Sequence, residues 1–315
     1  MTFGWEPDDF GSTEEESREI LFKALDLGIN FLDTANVYGR GSSESILGRA
    51  LDKELRKRLI ISSKCHGPMD DTDPNAWGNS RRNIIQSCEE SLKRLNTEWI
   101  DLYFIHRPQP SIPIDETLRA LDDLIHQGKV RAIGCSTFAA WQVCEAHYVA
   151  QSLGTNGFSC EQPPYNLLDR RIERELLPFC RTYDYGVMCW SPLASGQLSG
   201  KYLHGIPERS RYTKGDPFGR LQQKNAPTIQ KLKELAEENG VSLTTLSLAW
   251  VTSQPGIASA IIGARSITQL EENIAACQVK LSDNILQEID AIVPPSSYFV
   301  DYYRAEFGPN ARPNC

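Results

Sequence analysis

FLDTANVYGR, residues 31–40, is the stretch from which the fold is read. The mostly apolar run Ile29-Asn30-Phe31-Leu32 ends on an acid, Asp33, a small-residue turn follows, and Tyr38 stands against Gly39. That pattern predicts a buried strand ending in polar groups, with a phenol presented just beyond it. If other strands deliver a lysine and a histidine to the same mouth, the place is a proton-transfer site.

Outward from this stretch the same arrangement repeats. RLIISSK (58–64) reads as a strand ending on Lys64, and IDLYFIH (100–106) as one ending on His106. VRAIGCST (130–137) ends in hydroxyls, FSCEQ (158–162) on an amide, and Tyr185–Trp190 on an indole, while IASAII (257–262) runs into Gly263-Ala264-Arg265-Ser266. Helical spacing of apolar residues fills the intervals. Thr13–Leu27 is the clearest case, with Ser12 or Thr13 as its cap and three glutamates in its first turn. Ser43–Leu55, Asn79–Leu95, Ile114–Gln127, Trp141–Leu153 and Glu173–Tyr183 follow, then Ile229–Glu238, Leu243–Thr252, Thr268–Ala276 and Asn284–Ile292. Seven strands alternating with helices predict a parallel sheet with helical crossovers. No Gly-rich dinucleotide turn opens the first unit, which disfavours a doubly wound nucleotide fold. Chemistry-bearing residues at the C-terminal ends of nearly every strand predict an α/β fold of the (β/α)8, or TIM-barrel, kind. Without a composition break, residues 1–315 are expected to form a single domain.

Composition narrows the partners. A net charge of −8 argues against nucleic acid or an anionic membrane. An anionic cofactor then needs its own local basic cluster. The nine cysteines show no CxxC or Cys/His ligand spacing, so they read as reduced, mostly buried thiols rather than a disulfide framework or a metal site. No stretch approaches the ~20 apolar residues of a membrane span, and the acidic start MTFGWEPDDF lacks an apolar signal region. The expectation is a cytoplasmic protein.

Taken singly, each residue of the constellation has a plain account. A strand-end Asp is usually a turn acceptor, a Tyr before Gly a packing residue, and a lone Lys or His a solvated or satisfied loop residue. Asp33, Tyr38, Lys64 and His106 at successive strand ends outweigh those accounts together. In their DTANVYG, SSK and YFIHRP contexts they resemble the aldo-keto reductase family. SLKRLNTEWIDLYFIHRPQP, QPPYNLLDR, WSPLASGQLSGKY and IIGARSITQLEENIAA extend the resemblance over nearly the whole chain.

The resemblance implies an NADP(H)-dependent reductase of aldehydes or ketones, with Tyr38 as general acid. Lys64 and Asp33 are implied as its tuning pair and His106 as the group that orients the substrate carbonyl. A phenol titrates near ~10 unperturbed, and a neighbouring ammonium favours its anion. A histidine can donate to an oxygen that gains negative charge. His66, close to Lys64, reads as a loop residue rather than the catalytic histidine. For the cofactor the resemblance implies Ser136 and Gln162 at the nicotinamide carboxamide and Trp190 stacked on the nicotinamide. Ser191, Leu193, Gly196, Lys201 and Arg211 are implied over the pyrophosphate, and Gly263, Ala264, Arg265, Gln269, Glu272 and Asn273 around the adenosine. Arg265 before a helix suits a 2′-phosphate and favours NADP(H) over NAD(H).

The resemblance also exposes departures. The family's N-terminal β-hairpin and most of its first barrel strand are missing, since Met1-Thr2-Phe3-Gly4 resembles only the tail of that strand. The expectation is a chain begun at an internal methionine of a longer ancestor, with either another segment filling the gap or a barrel open at that point. Thr137 stands where the family usually has Asn. Substrate walls are expected from Trp5, Trp77, Tyr103 and the tail Tyr298–Tyr303, and such aromatic walls suit aryl or alicyclic carbonyls. Arg107 can face an anionic substrate but reads first as an exposed loop arginine. A second functional reading is an NADP(H)-binding regulatory or partner subunit, as in relatives resembling the potassium-channel β-subunits.

Overall fold

The computed structural model describes residues 3–4, 11–208, 210–216, 221 and 223–299, which fall into two compact units. The first runs through Glu161. Its helix α1 (Glu14–Asp26) starts in a capping box. Thr13 Oγ1 accepts from the Glu16 N–H at 3.2 Å, and the Glu16 carboxylate accepts from the Thr13 N–H at 2.8 Å. Strand β1 (Phe31–Asp33) follows. The single helix expected over 43–55 is two: α2 (Ser42–Ala50) and the short α3 (Lys53–Arg56). Leu51 turns extended, and the Asp52 side chain caps a fresh start by accepting from the Leu55 N–H, so the helical ladder is broken there. Next come β2 (Ile60–Cys65), α4 (Arg81–Leu95), β3 (Ile100–Ile105), α5 (Ile114–His126), β4 (Val130–Ser136), α6 (Ala140–Leu153) and β5 (Cys160–Gln162).

Strands β1 to β4 are parallel and pair in chain order. The registers put Asp33 opposite Ser62, Lys64 opposite Phe104, and Ile105 opposite Cys135. Because side chains alternate between faces, this register fixes which residues emerge together at the C-terminal edge. Ile61, Ile84, Phe104, Leu121 and Val143 are fully buried beneath that edge, each worth about 1.5–3 kcal/mol of burial.

The second unit carries α7 (Leu176–Thr182), β6 (Gly186–Cys189), α8 (Ala226–Glu238), α9 (Leu243–Ser253), β7 (Ile257–Ala260), α10 (Ile267–Ala275) and α11 (Asp283–Ile292). The helix expected from Glu173 begins only at Leu176, because Arg171–Glu173 forms a separate 3-10 turn. Strands β6 and β7 are parallel, with Cys189 opposite Ala260. Helix α9 is apolar on nearly all sides and buried along its length. Its Trp250 packs on Tyr165 and under the Arg170 guanidinium, which bonds Glu173 and Asp290, each at 2.7 Å.

The architecture is α/β, consistent with a (β/α)8 plan that lacks part of its first strand. Among the described residues Phe3 makes only an isolated bridge with Ser12, and no strand precedes α1. Gly4 instead lies against the turn after Tyr38, where a Cβ on Gly39 would stand 2.2 Å from its carbonyl oxygen. A second close approach fixes α2 on α4: a Cβ on Gly48 would stand 2.2 Å from the Arg94 carbonyl oxygen. Gly48→Ala is expected to destabilise the protein by about 2–3 kcal/mol, read as an earlier midpoint in urea unfolding. An unchanged midpoint would show that the two helices can separate freely.

Candidate active site

The four residues singled out in the sequence come together at one edge of the first unit. Lys64, the penultimate residue of β2, has no solvent exposure, and Asp33 is 12% exposed. The Lys64 Nζ donates to Asp33 Oδ2 at 2.6 Å and to the Thr34 carbonyl at 2.8 Å. Ser62 Oγ donates to the other Asp33 oxygen at 2.7 Å, so the carboxylate is bonded at both oxygens. Burial alone pushes the Lys64 ammonium down. The Asp33 carboxylate and the Tyr38 phenol outweigh it and hold the group above the ordinary lysine range. Lys64 Nζ lies 5.0 Å from the Tyr38 ring centre, and the His106 ring meets Tyr38 edge-on at 5.7 Å. Burial first, then the charges of Arg107, Lys64 and His66, hold His106 well below the usual imidazole range. His106 is therefore a neutral ring beside a phenol and a buried ammonium.

A second ring of contacts supports this edge. Arg107 is not the exposed loop residue expected from sequence. It is half-buried, and its Nη1 donates to Thr137 Oγ1 at 2.6 Å and to the His106 carbonyl at 3.0 Å. Thr137 is left-handed at φ 62°, a backbone that a β-branched residue adopts at a cost and Asn tolerates. That is the physical meaning of the departure at this position. The buried Glu161 carboxyl accepts from the Phe138 N–H at 3.0 Å and pins the same turn. Burial holds that carboxyl well above the usual range. His66 is bonded through Nδ1 to Asn79 Oδ1 at 2.8 Å and meets the Trp77 ring edge-on. Burial first, then Arg107, pushes it down as well, against the opposing Asn79 bond.

The expected substrate walls separate. Trp77 is 47% exposed over His66, as a rim residue should be. Tyr103 is no wall, because it is fully buried in the core; its register on β3 points it inward, which the sequence alone did not fix. Trp5 and residues 300–303 lie outside the described residues. Tyr298 spends its ring on the Arg171 guanidinium, 4.2 Å away.

In the first unit Ser136 is buried at the end of β4. The second unit holds the remaining residues implied for a cofactor. Gln162 is buried, and Trp190, half-buried after β6, is fixed by backbone bonds to Pro163 and Tyr165. The segment Ser191–Gly196 is unusually strained: Ser191, Ala194, Ser195 and Gly196 all have positive φ. Leu193 packs against Leu248, Ala249 and Ala276 and anchors it. Burial, then the charges of Arg265 and Arg211, pushes the Lys201 ammonium down, so three cations lie close together in an acidic protein. Open space surrounds Gly263. Gln269 Oε1 accepts from the Arg265 N–H at 3.0 Å, Ser266 caps α10 through the Gln269 N–H, Glu272 is bonded by Ser242 at 2.8 Å, and Asn273 is buried. A cation cluster, a strained small-residue segment and unfilled space at a glycine fit a dinucleotide phosphate.

Comparison with known proteins identifies the family. The family model for the Aldo/keto reductase family matches residues 1–294. The chain belongs to the aldo/keto reductase family. It is 37% identical over 96% of its length, and 90% of the relative's, to a putative voltage-gated potassium channel subunit beta of Schizosaccharomyces pombe. It is 35% identical over 93% of its length, and 90% of the relative's, to an uncharacterized oxidoreductase of Bacillus subtilis. A Metarhizium robertsii protein named as an aldo-keto reductase is also 35% identical, over 90% of this chain and 82% of its own. Among the described residues of this family member, no helix is long and apolar enough to cross a membrane, and the eight cysteines are free thiols.

What sequence reasoning passed over is the support: Arg107, Glu161 and the His66–Asn79 pair. Only the spacing of Arg107 after His106 hinted at any of them. Two expectations follow. Both imidazoles bind protons more readily in the unfolded chain, so stability is held above about pH 6.5 and lost as pH falls below it. Urea unfolding at pH 7 and pH 5 reads this loss, and His106→Asn should make it shallower; an equal loss in the variant would remove His106 from the account. Thr137→Asn should relieve the left-handed strain, stabilising the protein by about 1 kcal/mol, a Tm rise of roughly 2 °C. A lower Tm would mean that the Arg107 bond outweighs the strain.

Proposed function

We propose that this protein is an NADP(H)-dependent reductase that converts an aldehyde or ketone to an alcohol, acting as a single aldo/keto reductase domain in the cytoplasm. The reading is carried by the buried Lys64–Asp33 pair beside Tyr38 and the neutral His106. Lys201, Arg211 and Arg265 would hold NADPH, which when bound would supply a hydride for the carbonyl carbon. The protein's residues handle the oxygen. Tyr38 is the proton donor: its phenol O–H bond breaks as the new alcohol O–H forms. Lys64 stabilises the charge left on the phenol oxygen, and Asp33 keeps Lys64 charged without water around it. His106, being neutral, has one N–H to donate to the carbonyl oxygen as that oxygen gains charge.

Support for the cofactor comes from the Lys201–Arg211–Arg265 cluster and the residues the family resemblance implies around it. Arg265 at the start of α10 suits a 2′-phosphate, favouring NADP(H). Trp77 suits flat substrates, aryl or alicyclic carbonyls.

A second reading has one specific observation in its favour: relatives at 36–37% identity are named as putative or probable voltage-gated potassium channel β-subunits. On that reading the chain binds NADP(H) and regulates a partner with little turnover. Purified protein, a panel of aryl and alkyl aldehydes, and NADPH absorbance separate the two. Turnover is expected, with Tyr38→Phe losing at least about a hundredfold in kcat. NADPH binding with no turnover of any carbonyl would favour the regulatory reading instead.

A further inference from the structure

His66 is the one imidazole at this edge that the reductase chemistry leaves unused. It follows β2 directly, so the strand that delivers Lys64 also delivers His66 two residues later. Several contacts hold it in place. Its carbonyl accepts from the Gly78 N–H at 2.7 Å. A Cβ on the next residue, Gly67, would stand 2.9 Å from Val37 Cγ2, so this loop is packed onto the residue before Tyr38. The Trp77 ring meets it edge-on, with ring centres 6.2 Å apart. A charge placed on His66 would be close enough to act on His106.

The tautomer of His66 follows from its partner. Asn79 is buried, and its Nδ2 donates to the Arg107 carbonyl at 2.9 Å. The amide oxygen of Asn79 therefore faces His66 and accepts from Nδ1 at 2.8 Å. Gln109 Oε1 accepts from the Asn79 backbone N–H at 2.6 Å, and the Asn79 backbone carbonyl accepts from Thr117 Oγ1 at 3.1 Å, so the residue is held at its backbone as well as at its side chain. The proton of His66 is on Nδ1, and Nε2 carries a lone pair that no protein group among the described residues takes up. Burial keeps the ring from gaining a second proton near neutral pH.

A neutral ring with a fixed, unused acceptor accepts a hydrogen bond and cannot give one there. We infer that His66, oriented by Asn79 and backed by Trp77, is a substrate subsite that selects carbonyl compounds bearing a hydroxyl near the carbonyl. The inference rests on the reductase reading and refines its substrate class. A substrate hydroxyl donates to Nε2, while its carbonyl oxygen takes the bonds from Tyr38 and His106. A deoxy substrate leaves Nε2 without a partner when water is expelled, which is how a polar group discriminates against an apolar analogue.

The test compares glyceraldehyde with propanal, in NADPH oxidation by the full chain and two variants. His66→Asn keeps an amide where Nδ1 stands and loses the acceptor at Nε2. His66→Gln places an amide oxygen near the Nε2 position. The ratio of kcat/KM for the two aldehydes, corrected for their hydrated fractions, is expected to favour glyceraldehyde in the native protein. It should fall roughly tenfold, the worth of one hydrogen bond, in His66→Asn and recover in part in His66→Gln. A ratio unchanged in His66→Asn overturns the subsite. Should that variant fail to fold, a native protein that takes propanal as readily as glyceraldehyde overturns it equally. Turnover of neither aldehyde, nor of the wider carbonyl panel, overturns the reductase reading and the subsite with it. Turnover without hydroxyl preference overturns the subsite alone.

Discussion

A lysine without solvent contact is tolerable only beside a negative charge, and the site rests on that requirement. Removing a single partner from such a pair costs about 3–5 kcal/mol, whereas the intact pair contributes little net stability. The Lys64–Asp33 pair therefore constrains more than it stabilises. It needs β1 and β2 in one register and the Thr34 carbonyl within reach. It also needs Ser62 to satisfy the second carboxylate oxygen. Any slip of one residue would turn Lys64 or Asp33 to the opposite face. The geometry of the pair and the strand register are thus the same fact seen at two scales.

Electrostatics around the pair divides the labour among ionisable groups. Lys64 is held charged, His106 and His66 are held neutral, and Glu161 is pushed toward its neutral form. These states follow from one cause acting on groups of different type: burial disfavours charge, and only Lys64 has a carboxylate close enough to reverse it.

Much of the fold was legible because the periodic signals were strong. Strand ends at Asp33, Lys64, His106 and Ser136 could be read from apolar runs that stop on polar residues. Thr13 was one of the two caps read for the first helix, and its capping box with Glu16 is a detail of the structure. The breaks inside 43–55 and before Leu176 were not legible, since Asp52 and the Arg171–Glu173 turn override a continuous apolar spacing only through local bonds. The tetrad was legible because four residue types recur at strand ends. Arg107 was misread because a loop position says nothing about which side chain lies across from it, here Thr137. Tyr103 was misread because strand pattern gives alternation but not which face is the core. The His66 tautomer depends on an amide thirteen residues away, and no spacing rule reaches it.

The contact between Gly4 and Gly39 has an evolutionary consequence. Both glycines have positive φ; a Cβ on Gly39 would meet the Gly4 backbone, and a Cβ on Gly4 would meet Ser42 and Ser43. Substitution at position 39 needs the residue 3–4 segment to move away first, and that segment also lies against Ser42 at the start of α2. Position 39 is therefore coupled in sequence space to where residue 4 lies, and a side chain gained there would shift the turn presenting Tyr38.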